Sequence, residues 1–193
     1  MWQVFANGKV KRCLPQKSTT TTVITPYALS TRSSRLLVTS CGTRQLLLYN
    51  TRDSPARTLK VVQLPRDVVP RHAVETDRDT IVFCHTGPDK RSGLHRVLEV
   101  DERGTVIREF GGTDRERVNV PRHLAETGDG HLLVADCYNR RILLLDADLR
   151  PVRVLIQRDE GVLPWRLCHS EPDGRLLVGE TWLTACVKVF DIY

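Results

Sequence analysis

Four prolines, Pro26, Pro70, Pro121 and Pro164, open the same succession of residue types at spacings of 44, 51 and 43 residues. Behind each come a short apolar stretch, a polar turn and a second apolar stretch. The pairs are Pro26-Tyr27-Ala28-Leu29 with Leu36-Leu37-Val38, and Pro70-Arg71-His72-Ala73-Val74 with Thr80-Ile81-Val82-Phe83. Pro121-Arg122-His123-Leu124-Ala125 is followed by His131-Leu132-Leu133-Val134-Ala135, and Pro164-Trp165-Arg166-Leu167-Cys168 by Arg175-Leu176-Leu177-Val178. The apolar runs are short, rich in Val, Leu and Ile, and bounded by Gly, Asp, Asn and Pro, which predicts strands rather than helices. A period near 45 residues in an all-β chain predicts a β-propeller built of four-stranded antiparallel blades.

The third unit shows the strands best. Arg122 to Thr127 reads as a first strand, His131 to Asp136 as a second, Arg141 to Leu145 as a third and Val152 to Ile156 as a fourth. Runs such as Ile142-Leu143-Leu144-Leu145 and Leu46-Leu47-Leu48 lack the alternation of a sheet with one wet face. Stacked blades cover both faces of a sheet, and such runs then become reasonable. Asn119-Val120-Pro121-Arg122, Val134-Ala135-Asp136 and Asn139-Arg140-Arg141-Ile142 together resemble an NHL repeat. The other units depart from that pattern, with Thr39-Ser40, Phe83-Cys84 and Gly179-Glu180 in place of Ala-Asp.

The repeats divide the chain into a single propeller domain with blades at about 1–15 (partial), 23–64, 67–112, 118–157 and 161–193. About four blades are expected, either as a closed four-bladed ring or as the C-terminal part of a six-bladed one, the number that the resemblance implies. In the closed form, Val10 to Leu14 would complete the last blade, whose strands stop at Val187-Lys188-Val189-Phe190. Gln16 to Thr22 reads as a polar linker and Thr86 to Ser92 as a surface loop.

No run of 18 apolar residues occurs, so no membrane span is expected. The N-terminus lacks the basic-then-apolar layout of a secretory leader, and no Asn-x-Ser/Thr acceptor occurs. The six cysteines form no Cys-x-x-Cys pair, which signals neither a zinc site nor a disulfide framework. These features lead to the expectation of a cytoplasmic chain. A net charge of +6 with a pI of 9.2 favours acidic partners, nucleic acid among them.

The residues directly after each repeat proline fall on the innermost strand, beside the propeller axis. They are Tyr27, Arg71 with His72, Arg122 with His123, and Trp165 with Arg166. Guanidinium groups suit carboxylate or phosphate, and aromatic faces suit base stacking. The bland alternative is that the aromatics pack under loops while the arginines are solvated. His72 and His123 occupy matching positions, but Ala28 and Arg166 fill the other two, which leaves too few ligands for zinc. In NHL-like amidating lyases a zinc histidine directly follows the proline, where this chain has Tyr27, Arg71, Arg122 and Trp165. Asp136, Asn139 and Arg141 read as turn-bonding residues rather than a catalytic trio.

No nucleophile elbow, phosphate loop or His-Glu-x-x-His occurs, so no reaction is specified. The expectation is a binding platform for protein partners without catalytic activity, metal or cofactor, using this Arg/His/aromatic face. The resemblance implies a role like that of the C-terminal propellers of tripartite-motif proteins. It also supplies an alternative, single-stranded RNA binding. A metal-dependent lyase or lactonase-like propeller enzyme ranks third.

Overall fold

A computed structural model of the chain describes residues 2–4, 10–12, 26–53, 56–87, 94–111, 117–180 and 185–192. It is all β apart from two single-turn 3-10 helices, and its sheets form a four-bladed propeller. β1 (Trp2–Val4) and β2 (Val10–Arg12) pair only with each other. The first blade is the meander β3 (Pro26–Arg32), β4 (Arg35–Ser40), β5 (Gln45–Asn50) and β6 (Arg57–Gln63). The second is β7 (Val69–Glu75), β8 (Ile81–Thr86), β9 (Arg96–Val100) and β10 (Val106–Phe110). The third is β11 (Pro121–Glu126), β12 (Leu132–Asp136), β13 (Arg141–Leu145) and β14 (Pro151–Ile156). The fourth holds β15 (Arg166–Ser170), β16 (Arg175–Gly179) and β17 (Val187–Asp191). β2 pairs with β1 and not with β17, so the closure expected of Val10–Leu14 is not the pairing found. The linker at 16–22 and most of the loop at 86–92 lie outside the described residues.

The core sits between blades. On β12, Leu132 and Val134 pack toward Val82, Cys84 and Val97 of the second blade, while Leu133 and Ala135 pack toward Leu167, Leu176 and Val178 of the fourth. Every residue of β8 and β12 is buried, as continuous apolar runs require when neighbours cover both faces. Each fully buried Leu or Val on such a strand contributes about 1.5–3 kcal/mol relative to exposure. The outermost strands β6, β10 and β14 keep one wet face, with Val61, Ile107 and Val152 exposed on them.

A polar peg fixes each of the second, third and fourth blades to the chain that leads into it. Asp136, wholly buried, accepts from the Asn119 amide at 2.7 Å, from the Asn139 side chain at 2.8 Å and from Arg141 Nε at 2.7 Å. In the second blade His85 takes this position, its Nδ1 accepting from the Val69 amide at 3.2 Å. In the fourth, Glu180 accepts from the Leu163 amide and pairs with Lys188 at 3.3 Å. The strand partners of the repeat prolines are Ser40, His85 and Asp136, so Cys84-His85 corresponds to Ala135-Asp136. The alignment on Phe83-Cys84 was one residue out of register, because the uninterrupted run Ile81-Val82-Phe83-Cys84 carries no polar marker.

Candidate ligand-binding site on the propeller axis

The first strands of successive blades pack side by side, β3 with β7, β7 with β11 and β11 with β15. In three of them the pairing with the second strand slips just behind the repeat proline, between Pro26 and Ala28, Pro70 and Ala73, and Pro121 and Leu124. A bulge of this kind re-aims side chains, and it holds Tyr27, Arg71 with His72, and Arg122 with His123. The residues picked from sequence therefore share a structural peculiarity as well as a repeat position.

Tyr27, Arg71, Arg122 and Trp165, each next to its proline, assemble into one array of alternating cations and rings. The Arg71 guanidinium carbon lies 5.0 Å from the centre of the Tyr27 ring. Tyr27 in turn accepts a 2.8 Å hydrogen bond at its hydroxyl from Arg122 Nη1. The Arg122 guanidinium then lies over the Trp165 ring at 4.1 Å. Cation–ring contacts of this type contribute about 0.5–2 kcal/mol each, more where water is excluded. Arg71 also donates to Thr86 Oγ1 at 2.9 Å and approaches Cys41 Sγ at 3.9 Å. Burial raises the Cys41 thiol pKa despite Arg71, and pushes Cys137, beside Arg122, up to about 11. Arg166 donates to the Trp165 carbonyl at 3.1 Å. No carboxylate pairs with Arg71, Arg122 or Arg166 among the described residues.

The next position inward is structural. His72 Nδ1 accepts from the Leu124 amide and His123 Nδ1 from the Leu167 amide, both at 3.3 Å, so each histidine joins its blade to the next. Their rings stack on one another. Burial, reinforced by Arg166, lowers His72 to about 4; burial, His72 and Arg166 lower His123 to about 2. Both are neutral imidazoles with Nδ1 occupied. No group of three or more His, Cys, Asp or Glu side chains that could hold a metal occurs among the described residues.

At the far ends of the inner strands the arginines are neutralised. Arg32 pairs with Asp77 and with Glu126 at 3.0 Å, and Arg35 with Glu75 at 3.1 Å. Farther from the axis, Arg78 and, on the outermost strand β10, Arg108 share the buried Glu99 at 3.2 and 3.0 Å, and Asp148 bridges them from the next blade. Sequence reasoning missed this network because its members, drawn from strands and turns of different blades, carry no repeated pattern. Among the described residues, one end of the inner strands thus has compensated charge and the other has three guanidinium groups without a carboxylate partner.

No family model and no curated protein matches the sequence. Among solved structures, the chain is similar to streptogramin B lyase, with a TM-score of 0.66 and 16% identity over 99% of this chain and 61% of that one. It is similar to a catalytically inactive virginiamycin B lyase from Staphylococcus aureus with quinupristin, with a TM-score of 0.64 and 16% identity over 99% and 62%. A glutaminyl cyclase from Myxococcus xanthus matches with a TM-score of 0.53 and 12% identity over 80% and 67%. The chain spans about three fifths of the length of the two lyases. At these identities the likeness shows the β-propeller fold alone.

These relatives correct the expectation that the chain is not an enzyme: the structures it resembles include two lyases and a cyclase. The expectation leaned on the absence of contiguous catalytic motifs. In a propeller, residues that meet at the axis come from different blades, so a site here needs no contiguous motif.

Proposed function

We propose that the chain binds acidic groups of a protein partner at the end of the propeller axis carrying Arg71, Arg122 and Arg166. The observation that supports this is that no carboxylate pairs with any of the three among the described residues, whereas Arg32 and Arg35, at the other end of the inner strands, are ion-paired. Cations gathered at one end without carboxylate partners raise the local concentration of anions and speed their arrival. Arg122 of the third blade touches both rings of the array, Tyr27 and Trp165.

An acidic peptide suits the site better than single-stranded RNA. Base stacking needs open ring faces, whereas one face of Tyr27 and one face of Trp165 already bear the Arg71 and Arg122 guanidinium groups. The test is a fluorescence-anisotropy titration with labelled acidic peptide and with labelled single-stranded RNA, at low and moderate salt. Saturable peptide binding that weakens with salt, and is lost in a folded Arg71→Gln, Arg122→Gln, Arg166→Gln variant, is the expected result. RNA binding that exceeds peptide binding would overturn the choice of partner, and no binding of either would overturn the reading. Mass spectrometry of the bound ligand after incubation reports whether it is altered.

A further inference from the structure

Arg122 is only 6% exposed, and its guanidinium is only partly satisfied. Nη1 is committed to Tyr27, and Trp165 covers one face of the group. Nε is buried without a hydrogen-bond partner. Nε–H and one N–H of Nη2 point the same way and form the side-on edge with which a guanidinium grips both oxygens of a carboxylate. A buried donor left open in this way costs free energy that a matching acceptor would recover. The Cys137 thiol lies within hydrogen-bonding reach of the Arg122 side chain but supplies no counter-charge, since burial holds it protonated, with its pKa at about 11.

We propose that the Nε–Nη2 edge of Arg122 is the seat of a single side-chain carboxylate from an acidic peptide. The proposal deepens the preceding one and rests on it. A carboxylate is planar, matches the two N–H groups of the edge and stands at the tip of a narrow methylene stem. A phosphodiester within a strand is flanked by a sugar on each side and does not fit so enclosed a donor pair. Arg71 and Arg166 draw in neighbouring acidic residues from the rim, and Arg122 fixes one of them.

The experiment uses the full chain, end-blocked hexaglutamate as the peptide, and a uridine hexanucleotide as the phosphodiester control, each followed by anisotropy at low salt. Arg122→Lys keeps the charge and removes the side-on edge. It is expected to weaken hexaglutamate binding at least about tenfold, the scale of a lost bidentate charge-assisted contact, and to change hexanucleotide binding less than about twofold. Tyr27→Phe leaves the edge intact and is expected to retain hexaglutamate binding within about threefold. Unchanged hexaglutamate affinity in Arg122→Lys would overturn the seat while leaving the acidic-ligand reading in place. Equal losses for both ligands would overturn its preference for carboxylate, and a native chain that binds neither would remove the wider reading and the seat together. Should Arg122→Lys not fold, arginine Nε–H resonances of the native chain give the answer. The Arg122 signal moves downfield as hexaglutamate is added if the seat is filled, and an unmoved signal at saturation overturns it.

Discussion

The imidazoles of His72 and His123 stack with ring centroids 3.7 Å apart and planes inclined by 23°. They belong to neighbouring blades and face each other where the inner strands converge, each accepting a backbone amide from the blade beyond. Two rings this close and this buried are compatible only while both stay neutral. Protonation would put two like charges in van der Waals contact and remove the Nδ1 lone pair that each amide needs.

Acid therefore destabilises the chain through its histidines before its carboxylates. His72 and His85 are lowered to about 4 and His123 to about 2, from an unfolded value near 6.5. The unfolded chain takes up the protons first, so stability is full above about pH 6.5 and falls as pH drops toward 4. His72 alone accounts for about 3 kcal/mol over that interval, a large share of a typical domain's 5–15 kcal/mol. Carboxylates lowered by turn hydrogen bonds, such as Asp129 at about 2, act only below about pH 4. Melting curves followed by circular dichroism at pH 7, 6, 5 and 4 are expected to show a steep fall in Tm. The fall is expected to become shallower in His123→Asn, which can still accept an amide. A Tm constant from pH 7 to 5 would contradict the assignment.

Asp136 is the peg whose loss costs most. It satisfies two donors from side chains and one from the backbone while wholly buried, so Asp136→Ala leaves Arg141 and the Asn119 amide without their acceptor. Breaking a buried, paired charge costs about 3–5 kcal/mol. Asp136→Asn, which keeps one acceptor oxygen, is expected to cost about 1–3 kcal/mol. Urea denaturation of the two variants checks the order, and an Asp136→Ala protein as stable as native would refute the peg.

How far the fold was legible follows from where sequence leaves marks. Pro121, Asp136, Asn139 and Arg141 carry polar and conformational signals at fixed offsets, and the third blade could be read strand by strand. The second blade could not be registered correctly, since His85 does by its ring nitrogen what Asp136 does by a carboxylate, and nothing in residue type announces the equivalence. The candidate site was legible as a position but not as an arrangement. That Arg71, Arg122 and the rings of Tyr27 and Trp165 form one array depends on the bulge behind each proline and on inter-blade distances. That His72 and His123 serve the backbone depends on which way alternate side chains of a bulged strand are turned.

Thiol chemistry separates the blade interiors from their edges. Cys84 and Cys137 are wholly buried, and burial raises both thiols well above their ordinary value; Cys168 is exposed on β15. Because the thiolate is the reactive form, native protein treated with a thiol-specific disulfide reagent should be modified at Cys168 within minutes. Cys84 and Cys137 should react only once denaturant is added. Peptide mapping identifies the sites, and rapid modification of Cys84 in native protein would show that the blade interface opens.

Two glycines distinguish backbone strain from crowding. Gly111 and Gly130 both adopt left-handed φ, +96° and +81°. A Cβ at Gly130 would meet nothing within 4 Å, whereas one at Gly111 would lie 2.6 Å from Cγ2 of the buried Val118. Gly130→Ala should therefore cost only the conformational penalty of about 1 kcal/mol, while Gly111→Ala adds an overpacking term of about 1–3 kcal/mol. If the difference comes from Val118, then Val118→Ala combined with Gly111→Ala should be less destabilised than the sum of the two single changes. Denaturation of the four variants gives the coupling directly. Strict additivity would mean that Gly111 is required for its backbone conformation alone.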